Sequence, residues 1–143
     1  MTTPDSTTET IEAFSRLPWH DARLLACHVG RDTSDEPTVT LDILFESAGD
    51  HRGLTAVSFN APRGVFADVD LLGKALCGDQ IASGFCEKAD ESQHPFVNRL
   101  KERFDLYHGE TLSELFLFTL NLIHPGGSVL IVARSFAADR PLR

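Results

Sequence analysis

The chain reads as an α+β domain, a mainly antiparallel sheet of about five to seven strands with two helices packed on it. Three observations point there. Several short runs alternate apolar and polar residues, the period-2 pattern of strands with one buried face. Two further stretches place their apolar residues at helical spacing. Several of the runs also follow one another across short polar turns, as hairpin-connected strands do.

In chain order, Met1 to Asp5 is polar and reads as a frayed tail. Ser6-Thr7-Thr8-Glu9 fits a capping box, in which the hydroxyl and the carboxylate each satisfy a free N–H at a helix start. Ile11, Phe14 and Leu17 follow at helical spacing until Pro18 stops the pattern. A first strand is expected over Arg23 to Gly30, a polar turn over Arg31 to Pro37, and a second strand over Thr38 to Glu46. The second is the clearest: Val39, Leu41, Ile43 and Phe45 fall on one side, Thr38, Thr40, Asp42 and Glu46 on the other. These two should form a hairpin. After a loop over Ser47 to Gly53, Leu54 to Asn60 supplies a third strand with Thr55, Val57 and Phe59 on one face.

Gly64 to Leu72 fits an edge strand to about Leu71 with an acidic outer face, followed by a short helical turn ending at Gly78. Asp79 to Glu87 carries β-branched and aromatic residues but also Gly84, and another short strand fits there. Lys88 to His94 is expected as a solvated loop. Pro95 suits the first position of a helix to Leu106, whose stripe Phe96, Leu100 and Phe104 should cover one face of the sheet. Tyr107 to Ser113 turns back.

Leu115 to Phe136 is then the centre of the pattern: two apolar runs joined by His124-Pro125-Gly126-Gly127, a hairpin signature. The second run, Val129 to Phe136, is apolar on both parities, with only Arg134 and Ser135 interrupting it. A strand apolar on both faces belongs inside a covered sheet, so this pair is expected near the sheet's middle. Ala137 to Arg143 reads as a second flexible tail.

With 143 residues the chain is expected as one domain, 1–143, large enough to bury a core without disulfide or metal staples. Ten Phe residues against one Trp and one Tyr imply that rings fill much of it. The net charge of -8 and pI near 5.1 argue against nucleic-acid or anionic-membrane binding, which need a concentrated positive patch, and favour a basic partner. Cys27, Cys77 and Cys86 are odd in number and lack CxxC spacing, as suits a reducing compartment. With no leader pattern and no apolar run of spanning length, the expected location is the cytoplasm.

Catalytic signals are sparse. His20-Asp21 could polarise one another as an acid–base pair or supply two metal ligands, but neighbours on extended chain point apart, so a bend would be needed. The plainer expectation is that the pair orders a strand start, with Asp21 accepting backbone N–H bonds and His20 stacked on Trp19. His124 sits at a turn, and His28, His51, His94 and His108 are scattered without metal-ligand spacing. No nucleophile elbow, phosphate loop or dinucleotide fingerprint occurs, so neither catalysis nor a cofactor nor a metal is expected. What remains is acidic surface. Asp68, Asp70, Asp79 and Glu87 are the expected partner-binding residues, a patch able to steer a basic protein.

The segment Leu17-Pro18-Trp19-His20-Asp21-Ala22-Arg23-Leu24, followed by a strand, a polar turn and Pro37-Thr38-Val39-Thr40-Leu41, resembles immunity proteins of bacterial polymorphic toxin systems. Their N-terminal signature reads roughly W-P-x-F-H-D-A-E-V. His20-Asp21-Ala22 is identical to it, and Arg23 stands where the family has an acidic residue. The resemblance implies a small cytoplasmic binder that occludes a toxin's active site without catalysis, and the acidic balance would suit a basic toxin. His20 and Asp21 are carried over as motif residues of unknown role. Two other functions fit the sequence: a homodimeric structural domain whose sheet edge pairs with a second copy, and a small His/Asp-dependent enzyme.

Overall fold

The computed structural model describes residues 6–45, 53–68, 80–107, 112–123 and 127–139. Within them lie two helices and eight strands, the strands forming two four-stranded antiparallel sheets. The first sheet runs β1 (Arg23–Arg31), β2 (Pro37–Phe45), β3 (Gly53–Asn60), β8 (Ser135–Asp139). The second runs β4 (Gly64–Asp68), β7 (Ser128–Ala133), β6 (Phe116–Leu122), β5 (Ile81–Lys88). The expected α+β class and antiparallel pairing hold, but a single sheet of five to seven strands becomes two sheets of four.

Two strands that switch sheets account for the difference. Chain 129–136, expected as one strand, breaks at Arg134, so that β7 lies inside the second sheet and β8 at the edge of the first. Opposite it, the chain from β3 to β4 turns the same corner through Ala61-Pro62-Arg63. The corner is pinned across the two ribbons: the Arg63 N–H donates to the Val132 carbonyl at 2.7 Å and the Arg134 N–H to that of Asn60 at 2.9 Å. Pro62, with no N–H to donate, suits a position where the ladder is interrupted, and Ala61 takes a left-handed φ of 51°. The expected C-terminal tail from Ala137 is therefore ordered as far as Asp139, because β8 needs those residues to pair with Val57 and Ala56.

The other margin of the sandwich is drawn together where β1 and β5 begin. Arg23 bridges Gln80, and the Ile81 N–H donates to the Ala22 carbonyl at 2.7 Å.

Period-2 alternation decides which residues fill the space between the sheets. Leu24, Val39, Leu41, Ile43, Phe45, Val57 and Phe59 face Ile81, Cys86, Phe116, Phe118, Leu120, Val129 and Ile131 in one buried cluster. Helix α1 (Ser6–Arg16) lies against β5 and β8 and delivers Phe14 into that cluster. The Phe14 ring meets those of Trp19, Phe59, Phe118 and Phe136 at centroid distances of 4.8 to 6.5 Å, within the range of favourable aromatic pairs.

As expected, β6 and β7 are the central strands of their sheet, with one face against the first sheet. Part of their outer face is covered by α2 (Pro95–Tyr107), whose Phe96, Val97 and Leu100 pack on Leu117, Leu130 and Val132. The stretch between β5 and α2 is not all loop, since Ala89–Glu91 forms a 3-10 turn that buries Ala89.

Candidate binding surface

The outer face of the second sheet is a grid of three rows, each crossing β4, β7, β6 and β5. The first row is Gly64, Val132, Leu117, Glu87; the second Phe66, Leu130, Thr119, Phe85; the third Asp68, Ser128, Asn121, Ser83. Helix α2 closes over Gly64, Val132, Leu117, Phe66 and Leu130. It leaves Phe85, 40 % exposed, and the wholly polar third row uncovered.

Between that row and the segment 92–94 lies a groove of about 370 Å³. Leu117, Thr119, Leu130, Asn121 and Ser128 line it along the sheet, with Phe85 and Glu87 on the β5 side. Its other wall is held by local bonds. The buried Ser92 hydroxyl accepts the His94 N–H at 3.2 Å, and His94 Nδ1 accepts the Phe96 N–H at 3.1 Å, ordering the start of α2. On the floor the Asn121 amide donates to Ser83 Oγ at 3.2 Å. Such a surface offers one aromatic anchor inside a polar frame, the pattern of a protein contact with a small hydrophobic centre and a polar rim.

Of the acidic residues expected to contact a partner, Asp68 and Glu87 both lie on this face, but on opposite edge strands and two rows apart. They flank the groove rather than forming one cluster. Asp70 and Asp79 lie outside the described residues. Phe85 is not among the residues the sequence singles out, although the alternation of Ser83, Phe85 and Glu87 within the strand expected over 79–87 places it on the same face as Glu87.

His20 and Asp21 occupy a tight turn. The Ala22 N–H donates to the Trp19 carbonyl at 2.9 Å, and Asp21 takes a φ of 69°, the bend that extended chain lacks. It brings Asp21 Oδ2 to 3.0 Å from His20 Nδ1, while Asp21 Oδ1 accepts from the Gln80 amide at 2.9 Å. The plainer expectation is thus met only in outcome. Among the described residues Asp21 holds the strand start through Gln80 rather than through backbone N–H bonds, and His20, with a side chain 80 % exposed, faces solvent while Trp19 is buried. Neither side chain lines the groove on the second sheet.

His28 Nε2 pairs with Asp42 Oδ2 at 2.8 Å across β1 and β2, on the outer face of the first sheet. No group of three or more metal-ligating side chains comes together among the described residues. Burial pushes the Cys27 thiol up from its ordinary value and Cys86 up to about 12, the latter helped by the neighbouring Glu87 carboxylate, so neither is primed as a nucleophile. No helix among the described residues is long and apolar enough to cross a membrane. His51, His108, His124 and Cys77 fall outside the described residues. In comparisons with known proteins, no family model, curated protein or solved structure matches the chain.

Proposed function

We propose that this chain is a small cytoplasmic protein-binding domain that acts as an immunity protein, neutralising a basic toxin by covering its active site. The observation that carries this reading is Phe85, exposed on the part of the sheet face that α2 leaves uncovered, framed by the polar row Asp68, Ser128, Asn121 and Ser83 and by Glu87. An apolar anchor supplies affinity, and carboxylates on either side steer and register a cationic partner. The net charge of -8 and the His20-Asp21-Ala22 resemblance support the same reading.

The test is capture from lysate of the source organism at low and high salt, with the wild-type chain, Phe85→Ser, Glu87→Lys and, as a control on the far sheet, Thr38→Lys. A single stoichiometric basic protein that leaves as salt rises, is lost from the first two variants and is kept by Thr38→Lys is the expected result. Equal capture by all four would place the contact elsewhere. Capture of no basic protein at either salt would end the immunity reading.

A further inference from the structure

Within the sheet-face groove the Glu87 carboxylate has no answering charge. The residue is half-buried, and its side chain makes no hydrogen bond or ion pair among the described residues. It shares the outer face of β5 with Phe85, so the two side chains leave the strand about 7 Å apart along one wall of the groove. The rest of the lining is hydroxyl and amide groups over Leu117 and Leu130, and no lysine or arginine is among the described residues there. His94, the other titratable group lining it, accepts the Phe96 N–H on Nδ1 at 3.1 Å, the arrangement of a neutral imidazole.

This set of groups fits one kind of ligand. A carboxylate drawn partly out of water without a partner is unfavourable, and a cation brought against it regains that loss. The Asn121 amide N–H donates to Ser83 Oγ at 3.2 Å, which leaves its carbonyl oxygen to accept from a ligand. A guanidinium matches these groups better than an ammonium does: it is flat enough to lie on an aromatic ring, carries its donors in a planar fork and is more weakly hydrated. Its aliphatic stem can lie along Leu117 and Leu130, and a volume of about 370 Å³ suits one long side chain.

We propose that the groove receives an arginine side chain of the protein partner, its guanidinium stacked on Phe85 and paired with Glu87. The inference rests on the reading of this face as the toxin-binding surface and names the group that the surface recognises.

The test titrates acetyl-arginine methylamide into the isotopically labelled full chain at neutral pH and follows amide shifts, with the lysine and citrulline analogues for comparison. The expected result is saturable 1:1 binding with shifts centred on Phe85, Glu87, Thr119 and Asn121, weaker for the lysine analogue and lost for the neutral citrulline one. Glu87→Gln should weaken binding about fivefold and Phe85→Leu about threefold, the worth of a partly exposed ion pair and of a cation over a ring. Asp68→Asn, which removes the same charge from the opposite edge strand, should bind as the wild type does. Shifts spread evenly over the chain, no saturation, or undiminished affinity in Glu87→Gln would overturn the site. An equal loss in Asp68→Asn would overturn the pairing with Glu87, and equal binding of the lysine or the citrulline analogue would overturn the guanidinium assignment. The titration needs no toxin, so it fails separately from the lysate capture. Capture by the wild type without a response to the arginine probe overturns the arginine assignment alone, whereas a localised response with nothing captured supports the site and ends the immunity reading.

Discussion

The indole of Trp19 lies across the backbone of Gly84, so close that a Cβ there would stand 2.6 Å from ring carbons Cγ and Cδ1. Trp19 is itself held by a bond from Nε1 to the Phe14 carbonyl at 2.7 Å and by ring contacts with Phe14 and Phe45. It cannot step aside. Gly84→Ala should therefore cost about 1–3 kcal/mol by overpacking. Denaturant unfolding followed by the fluorescence of this single tryptophan measures it directly.

Gly64 provides the contrast. A Cβ there would meet Leu100 Cδ1 at 2.6 Å and Phe96 Cζ at 3.0 Å, but the first is the tip of a flexible side chain on α2. Gly64→Ala is expected to cost less than Gly84→Ala in the same experiment, because α2 can yield by a rotamer change where the pinned indole cannot. The reverse order would mean that α2 is the more rigid neighbour.

Phe14 joins α1 to both sheets through the rings of Phe59, Phe118 and Phe136, meets Trp19 as well, and is fully buried. Phe14→Ala should destabilise the fold by about 3–5 kcal/mol, the loss of transfer energy plus a cavity among rings that cannot collapse. Measured by urea midpoint, a loss below about 1 kcal/mol would show that α1 is not part of the cooperative unit.

The buried Cys86 thiol, raised to about 12 chiefly by burial and then by Glu87, makes stability fall with alkalinity. Its folded value lies above the ordinary 9.0, so the unfolded chain releases the proton first. The contribution is complete below pH 9 and is lost progressively as pH rises from about 9 towards about 12. Melting temperatures across that window should decline less steeply in Cys86→Ala than in the wild type. Parallel curves would mean that other groups carry the alkaline limb.

At the Trp19–Ala22 turn, the left-handed backbone of Asp21 gives a prediction about shape rather than charge. Asp21→Val should lose about 1–2 kcal/mol, since a β-branched residue tolerates this φ poorly. Asp21→Gly should recover most of the loss, and His20→Ala, on an exposed ring, should change stability by less than about 0.5 kcal/mol. Chemical denaturation of the three variants separates backbone shape from side-chain contact: a fall in stability common to His20→Ala and Asp21→Gly would show the contact to matter more than the backbone.

The alternation of Val39, Leu41, Ile43 and Phe45 with threonines and Asp42 was sufficient to locate β2 and its buried face. Of the stripe Phe96, Leu100 and Phe104, the first two did the same for α2, the Phe104 side chain lying outside what the structure describes, and the doubly apolar runs placed β6 and β7 at a sheet's centre. These features are local: each depends on the side-chain period of one segment, which the chain states outright. For the binding surface the same logic reached only half-way, placing Asp68 on the outer face of β4 but not Glu87 across the sheet from it.

What tertiary structure alone decided depends on pairing between distant residues. The division into two sheets rests on Asn60 meeting Arg134 and Arg63 meeting Val132, about seventy positions apart, so 129–136 read as one strand until its partner bent with it. Ala137–Asp139 carries no strand signal of its own and is ordered because β3 offers it an open edge. The same holds for Gly84, whose reason is the indole of Trp19, and for the exposure of Phe85, which follows from where α2 stops covering the sheet. A segment's period determines which side chains share a face; only the closing of the chain on itself determines what that face meets.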